Sequence, residues 1–199
     1  MTWLILGLIL FLGAHSVRVV ADNWRAEKIA AWGDKAFKGV YTLVSILGFY
    51  LLVVGYGEAR LQTVALWNPP LFTKHISLLL MLFASILLFA TYIPRNHIKM
   101  RLGHPMVLSV KVWALSHLLA NGNLADVVLF GAFLIWAVLN FRSARSRDRA
   151  QVENSVAIED SPPKPNLYAT LIALFGGMAL WAVITFVLHA KVVGVAPMG

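Results

Sequence analysis

The chain has 199 residues, of which 59% are hydrophobic, and a formal net charge of +8. A soluble domain is only ~45–50% apolar, so this composition and its recurring apolar runs predict an integral membrane protein with no separate soluble domain. Cysteine is absent from the sequence, which excludes thiolate-ligated haem, cysteine-ligated iron–sulfur clusters, covalent c-type haem and disulfides. Any metal must therefore be held by histidine or oxygen ligands.

Six apolar segments approach the ~20 residues that a membrane-spanning helix requires. We predict an all-α, polytopic membrane protein with five to six transmembrane helices, forming a single domain over residues 1–199. The expected spans are 2–20, 39–56, 74–93, 105–120, 124–141 and 167–190. The fourth and fifth spans are short and are separated by three residues, Asn121 to Asn123, which favours a tight helical hairpin.

The basic residues indicate how the chain is oriented. Most of them fall in the first, third and fifth loops, and positive loops stay in the cytoplasm. We therefore interpret the charge as topology, with the lipid bilayer rather than nucleic acid as partner. This predicts a bacterial inner-membrane protein with both termini in the periplasm. Residues 142–166 combine a charge run with three prolines and are predicted to be a flexible cytoplasmic linker before the last helix.

Two histidines are predicted to lie inside membrane spans, where an ionisable residue is costly and marks a candidate functional site. His15 is followed by Arg18 and Asp22 at helical spacing, so all three are expected on one helix face. It is either a metal or haem ligand or a buried histidine that is hydrogen-bonded to a neighbouring helix. His117 lies ~20 Å deeper than His104 and on the opposite side of the helix, so these two cannot share one metal.

Other polar and aromatic residues surround this second histidine. Trp113, one turn before His117, is either an ordinary core aromatic or a surface for a flat cofactor. Lys111 shares a helix face with His104, and with Arg101 they form a predicted basic mouth for a carboxylate or phosphate, unless Lys111 only reaches toward lipid headgroups. His75 and His189 lie at the ends of their spans and are expected to be interfacial or structural.

Five segments of the chain form a distinctive set: LGAHS at 12–16, KHISLLLM at 74–81, PRNHIKMRLGHPM at 94–106, VWALSHLLANG at 112–122 and GVAP at 194–197. Together they resemble the NnrU protein family. The family is named from genes linked to denitrification and nitric oxide metabolism. It is related to the zeta-carotene cis–trans isomerase of plastids and cyanobacteria, a membrane enzyme with b-type haem. The His-Pro segment also resembles membrane methyltransferases of the isoprenylcysteine carboxyl type.

The resemblance implies a cofactor and its ligands. Matched by motif, the haem b ligands are His15 and His117, and we expect Trp113, His104, Lys111 and Arg101 to contact the cofactor. The isomerase has a cysteine where this chain has Ala114, so a thiolate ligand is excluded. A simple count along the helices places His15 and His117 at depths that differ by roughly 9 Å. Helix tilt of ~20° can absorb this offset, and otherwise His75 or His189 is the better partner for His117.

Three classes of function stay open, so the sequence does not decide whether the chain is an enzyme. The first is a haem protein of nitrogen-oxide metabolism, acting as sensor, electron carrier or denitrification accessory factor, with nitric oxide as small ligand or a redox partner protein. The second is a haem-dependent cis–trans isomerase of a polyene or lipid. The third is a methyltransferase that uses S-adenosylmethionine at the basic mouth. It would require acidic residues there, and residues 94–125 offer none.

Overall fold

The structure is a computed structural model that describes residues 1–62, 64–154 and 164–197. Its helices are α1 Thr2–Val20, α2 Asp22–Trp32, α3 Asp34–Ala59, α4 Leu71–Tyr92, α5 His97–Leu102, α6 Pro105–Ala120, α7 Leu124–Asn154, α8 Leu167–Val183, a π-helix Ile184–Leu188 and α9 His189–Val193. Five helical stretches are long and apolar enough to cross a membrane, and α6 is a shorter apolar helix. The predicted all-α membrane protein with five to six spans is confirmed.

Two short helices in the loops were not predicted. The polar helix α2 follows a break at Ala21, and an ion pair between Asp22 and Arg25 at 3.8 Å supports its first turn. Because α1 ends before Asp22, the helical spacing from His15 does not carry over, and the predicted shared face with Asp22 is wrong. Helix α5 begins where the Asn96 side chain accepts a hydrogen bond from the Lys99 N–H at 2.8 Å.

The structure also corrects the first half of the predicted linker. Helix α7 continues through the charged segment to Asn154, well past the expected end of the fifth span. Residues 142–154 contain no proline or glycine, and pairs at helical spacing stabilise them, such as Arg147 with Ser143 at 2.7 Å. Residues 155–163 lie outside the described part of the chain. Asn166 then caps α8 by accepting from the Tyr168 N–H.

By packing, the chain forms two compact units. The first consists of Met1–Asn68 with Gly122–Asn140, and the second of Pro69–Asn121 with Phe141–Gly199. In the first unit α1 packs against α3 along glycines. A Cβ added at Gly48 would lie 2.7 Å from the Phe11 nitrogen, and one at Gly55 would lie 2.5 Å from the Trp3 carbonyl carbon. Glycine at these positions of α3 lets the two helix backbones approach closely, as small residues do at helix contacts in membranes.

In the second unit α4 is the central helix, with α6 and α8 packed on it. Gly176 and Gly177 of α8 lie directly against Phe89 and Ile86 of α4. Helix α6 is further tied to α4 by hydrogen bonds, because the buried Ser109 hydroxyl donates to the Ala84 carbonyl at 2.8 Å. Close helix contact and buried hydroxyl bonds are the ordinary means of association where lipid surrounds the helices.

Candidate functional site

His117 lies in the last turn of α6 and is half-buried. Its Nδ1 is 2.9 Å from the backbone carbonyl of Trp113, and a carbonyl can only accept, so Nδ1 carries the hydrogen. In the neutral ring the lone pair is then on Nε2, which is the form that binds metals. The Trp113 ring lies beside the imidazole, with ring centres 5.3 Å apart. The predicted neighbour of His117 is therefore in contact with it.

A second imidazole lies next to His117. The ring centres of His117 and His189 are 6.4 Å apart, and their planes differ by 24°. His189 is the first residue of α9 and follows the π-helix directly. Its Nδ1 is 2.7 Å from the Val195 carbonyl, so this ring too carries its hydrogen on Nδ1. The second unit thus presents two imidazoles in the same tautomer.

Hydrogen bonds to α4 hold α6, which carries His117, and α8, which leads through the π-helix to His189. The hydroxyls of Ser77 and Ser116 each donate to the other residue's backbone carbonyl, at 2.7 Å and 3.0 Å, directly beside His117. The Trp181 indole N–H of α8 donates to the Leu78 carbonyl at 3.2 Å. Ser77 and Leu78 are adjacent in α4, so α6 and α8 are fixed at the same level of one helix.

His15 belongs to the first unit, and its surroundings are aromatic. Its Nδ1 donates to the Phe11 carbonyl at 2.7 Å, and the centres of the Phe11, Tyr41 and Trp136 rings lie within 4.3 Å to 6.3 Å of the imidazole centre. The adjoining cavity has a volume of about 330 Å³ and is lined by Phe11, His15, Tyr41, Thr42, Ser45, Ile46 and Phe49. The Trp136 indole N–H is buried without a hydrogen-bond partner among the described residues. The cavity beside His15 is thus mostly apolar, with the hydroxyls of Tyr41, Thr42 and Ser45 in its lining.

The predicted basic mouth in the second unit contains a carboxylate as well. His104 Nε2 lies 2.9 Å from an Asp148 carboxylate oxygen, and an Arg145 guanidinium nitrogen lies 3.6 Å from the same oxygen. Lys111 is half-buried on α6 and Arg101 is exposed on α5. The predicted basic mouth therefore has an acidic neighbour at His104. Asp148 was missed because it falls in the segment that was predicted to be a linker.

A buried acid in the first unit was also missed. Asp126 in α7 is only 3% exposed, and it accepts hydrogen bonds from the Tyr56 hydroxyl at 2.5 Å and the Asn123 amide at 3.2 Å. The Arg60 guanidinium carbon lies 5.5 Å from the centre of the Tyr56 ring. The available signal was a single acidic residue just inside an apolar span, which by default marks a functional position.

The protein ligands available for a metal are pairs rather than clusters. Within residues 1–62, 64–154 and 164–197, no three His, Asp or Glu side chains converge as a metal-binding group. The two imidazoles at His117 and His189 match the ligand count of haem, whose iron takes one or two axial protein ligands. A structural zinc site takes four protein ligands and a catalytic one usually three. The donor set of the second unit thus fits haem iron.

The comparisons with known proteins give one result for the whole chain. The sequence matches the family described as NnrU protein over residues 3–197. No curated protein and no solved structure matches the sequence.

Proposed function

Because the chain belongs to the NnrU family, we propose that it is a haem b-binding integral membrane protein linked to nitrogen-oxide metabolism. The observation that supports haem most directly is the pair of imidazoles in the second unit, 6.4 Å apart at their centres. Each donates its Nδ1–H to a backbone carbonyl and so directs its metal-binding nitrogen elsewhere.

Several residues of the second unit would hold the cofactor, and each would contact a different part of it. His117 binds the iron through Nε2, and its bond to the Trp113 carbonyl fixes the ring orientation. The Trp113 ring provides a flat apolar surface at 5.3 Å from the imidazole centre. Lys111, nearly two turns before His117 on α6, would supply positive charge for a propionate, whereas His104 pairs with Asp148 instead. When bound, haem supplies an iron that can pass single electrons or take up a diatomic ligand such as nitric oxide.

The apolar surroundings decide which roles this cofactor can serve. The helices that carry the site have large exposed apolar faces, so a cofactor bound there would be reached from lipid or along the mouth. Apolar gases and quinone-like carriers partition into lipid, whereas ions do not. We therefore rank a nitric oxide sensor or an electron carrier ahead of an enzyme that acts on a soluble, charged nitrogen oxide. An isomerase would use the same haem on a cis-polyene.

The test is the absorption spectrum of the protein purified in detergent after expression with ample haem. We expect a Soret band and a stoichiometry near one haem per chain. His117→Ala should lose the band, whereas His97→Ala is the matched control, because the His97 ring is bound at 2.8 Å to Thr170 on the exposed surface. A protein that carries no haem under these conditions would remove the proposal.

One observation favours a second candidate function. Asp148 brings to the basic mouth the carboxylate that a methyltransferase needs to anchor a cationic methyl donor. This function predicts binding of S-adenosylmethionine to the haem-free protein, measurable by calorimetry. The binding heat should disappear in Asp148→Asn and persist in Asp34→Asn, whose carboxylate pairs with Lys38 in the other unit.

A further inference from the structure

We infer that His189, rather than His15, is the imidazole that shares the iron with His117, and that the turn at Gly194 positions it. The inference rests on the proposed haem binding and names the second ligand of that site. It also gives a purpose to the C-terminal GVAP segment at 194–197.

The separation of the two rings suits ligation from opposite sides of one metal. A metal–nitrogen bond is ~2.0–2.1 Å and the ring centre lies roughly 1 Å beyond the nitrogen, so two opposed imidazoles have centres about 6 Å apart. Two imidazoles at right angles would have centres only about 4–5 Å apart by the same geometry. The observed 6.4 Å between the ring centres of His117 and His189 agrees with the separation expected of two opposed ligands and is too long for a right-angle pair.

The backbone around His189 departs from a regular helix at the two places that set its position. The π-helix at Ile184–Leu188 ends at the residue before it. One added residue rotates the following side chains by ~100° relative to a continued α-helix, and π-turns are frequent at functional sites. Without this insertion His189 would face a different direction.

The chain then turns back on itself at Gly194. This glycine has φ +79°, a left-handed conformation that residues with a Cβ adopt only at a cost. The turn brings the Val195 carbonyl to 2.7 Å from His189 Nδ1, across six residues of sequence. Unlike His15 and His117, which bond the carbonyl four residues earlier in their own helices, His189 has a dedicated turn to fix its tautomer.

His15 has different neighbours. The rings packed around it in the first unit are Phe11, Tyr41 and Trp136, and the cavity beside it contains serine and threonine hydroxyls. These groups suit an apolar ligand with a hydrogen-bond acceptor. They supply no imidazole to oppose His15 across a metal, whereas His117 has one at the required distance.

The test is the iron spin state in haem-loaded protein, read by optical and spin-resonance spectra. We expect the unmodified protein to be six-coordinate and low-spin. His189→Ala should become high-spin, and added imidazole should restore the low-spin signal. His15→Ala, the matched control, should stay low-spin. Gly194→Val keeps His189 but strains the turn that fixes its ring. The affinity of His189 for the iron should then fall roughly tenfold, and the low-spin fraction should fall with it.

The outcomes separate this inference from the haem proposal. Low-spin haem in His189→Ala combined with high-spin haem in His15→Ala would overturn the inference and leave haem binding intact. Low-spin haem in both variants would overturn it as well, because another residue would then be the ligand. A haem-free unmodified protein would remove the proposed function itself. If His189→Ala does not purify, His189→Gln preserves the side-chain size and its spin state decides in the same way.

Discussion

The two packing units place polar groups inside an apolar fold in different ways. In the first unit, Asp126 is buried and bound by Tyr56 and Asn123, while His15 lies apart among aromatic rings. In the second unit, two imidazoles lie side by side, and serine hydroxyls and an indole hold α6 and α8 to α4. What distinguishes the second unit is the distance between two imidazoles, 6.4 Å at their ring centres, and the proposed shared metal ligand rests on that distance.

The largest expected effect is the loss of stability when a glycine contact is overpacked, which can be tested separately in each unit. A Cβ at Gly177 would lie 2.9 Å from the Ile86 nitrogen and one at Gly55 would lie 2.5 Å from the Trp3 carbonyl carbon. Leucine at either position should cost about 3 kcal/mol or more of stability. Gly177→Leu should also lose haem, whereas the folded fraction of Gly55→Leu should keep an unchanged Soret band. Thermal unfolding in detergent and the haem-to-protein ratio measure both effects.

The control for these substitutions is Gly57→Leu in α3. A Cβ at Gly57 meets no atom within 4 Å, so its unfolding temperature should stay close to that of the unmodified protein. If Gly55→Leu removed haem as completely as Gly177→Leu, the assignment of the cofactor to the second unit would be in error.

The next effect tests the buried acid of the first unit. Tyr56→Phe removes the hydroxyl that donates to Asp126 and leaves a 3%-exposed carboxylate with one fewer partner. A buried group that loses its hydrogen bond costs about 1–3 kcal/mol. We expect this loss in the unfolding free energy with no change in the haem spectrum. Tyr50→Phe, on the exposed face of the same helix, is the control and should change neither quantity.

A smaller effect is expected from the serine pair of the second unit. Ser77→Ala and Ser116→Ala each remove one of the two reciprocal bonds between α4 and α6. Interhelical hydrogen bonds within membranes contribute about 0.6–2 kcal/mol each. The double variant should lose about the sum of the two single losses, because each hydroxyl bonds a backbone carbonyl that the other substitution leaves in place. The low-spin signal should also weaken because His117 is the next residue. A double loss far below the sum would show that the two bonds are not independent.

The smallest effect is expected at the mouth. His104 and Asp148 are both partly exposed, and such ion pairs contribute about 0–1 kcal/mol. Asp148→Asn should therefore barely change the unfolding free energy, and the difference should vanish in molar salt because exposed charges are screened. A loss of several kcal/mol would mean that the mouth is a structural element of the second unit rather than a binding surface.

The sequence predicted the spans because hydropathy alone decides them, and α1 and α6 begin and end where expected. The sequence wrongly predicted a linker where polar residues pair at helical spacing, as Arg147 does with Ser143. A charged and polar composition is the same for a linker and for a solvent-exposed helix. The sequence also indicated His189 only as an alternative to His15. A π-helix and a left-handed turn decide where that ring lies, and neither has a reliable signature in one sequence.

The glycine contacts between α1 and α3 have a mechanical consequence. Backbone meets backbone at Gly48 and Gly55, which leaves no gap wide enough for a lipid chain to wedge between the two helices. A bilayer that is thicker or thinner than the preferred one is accommodated by helix tilt. These two helices would therefore tilt together as a rigid pair. Because both helices line the pocket beside His15, a change in membrane thickness would rotate both walls of that pocket together.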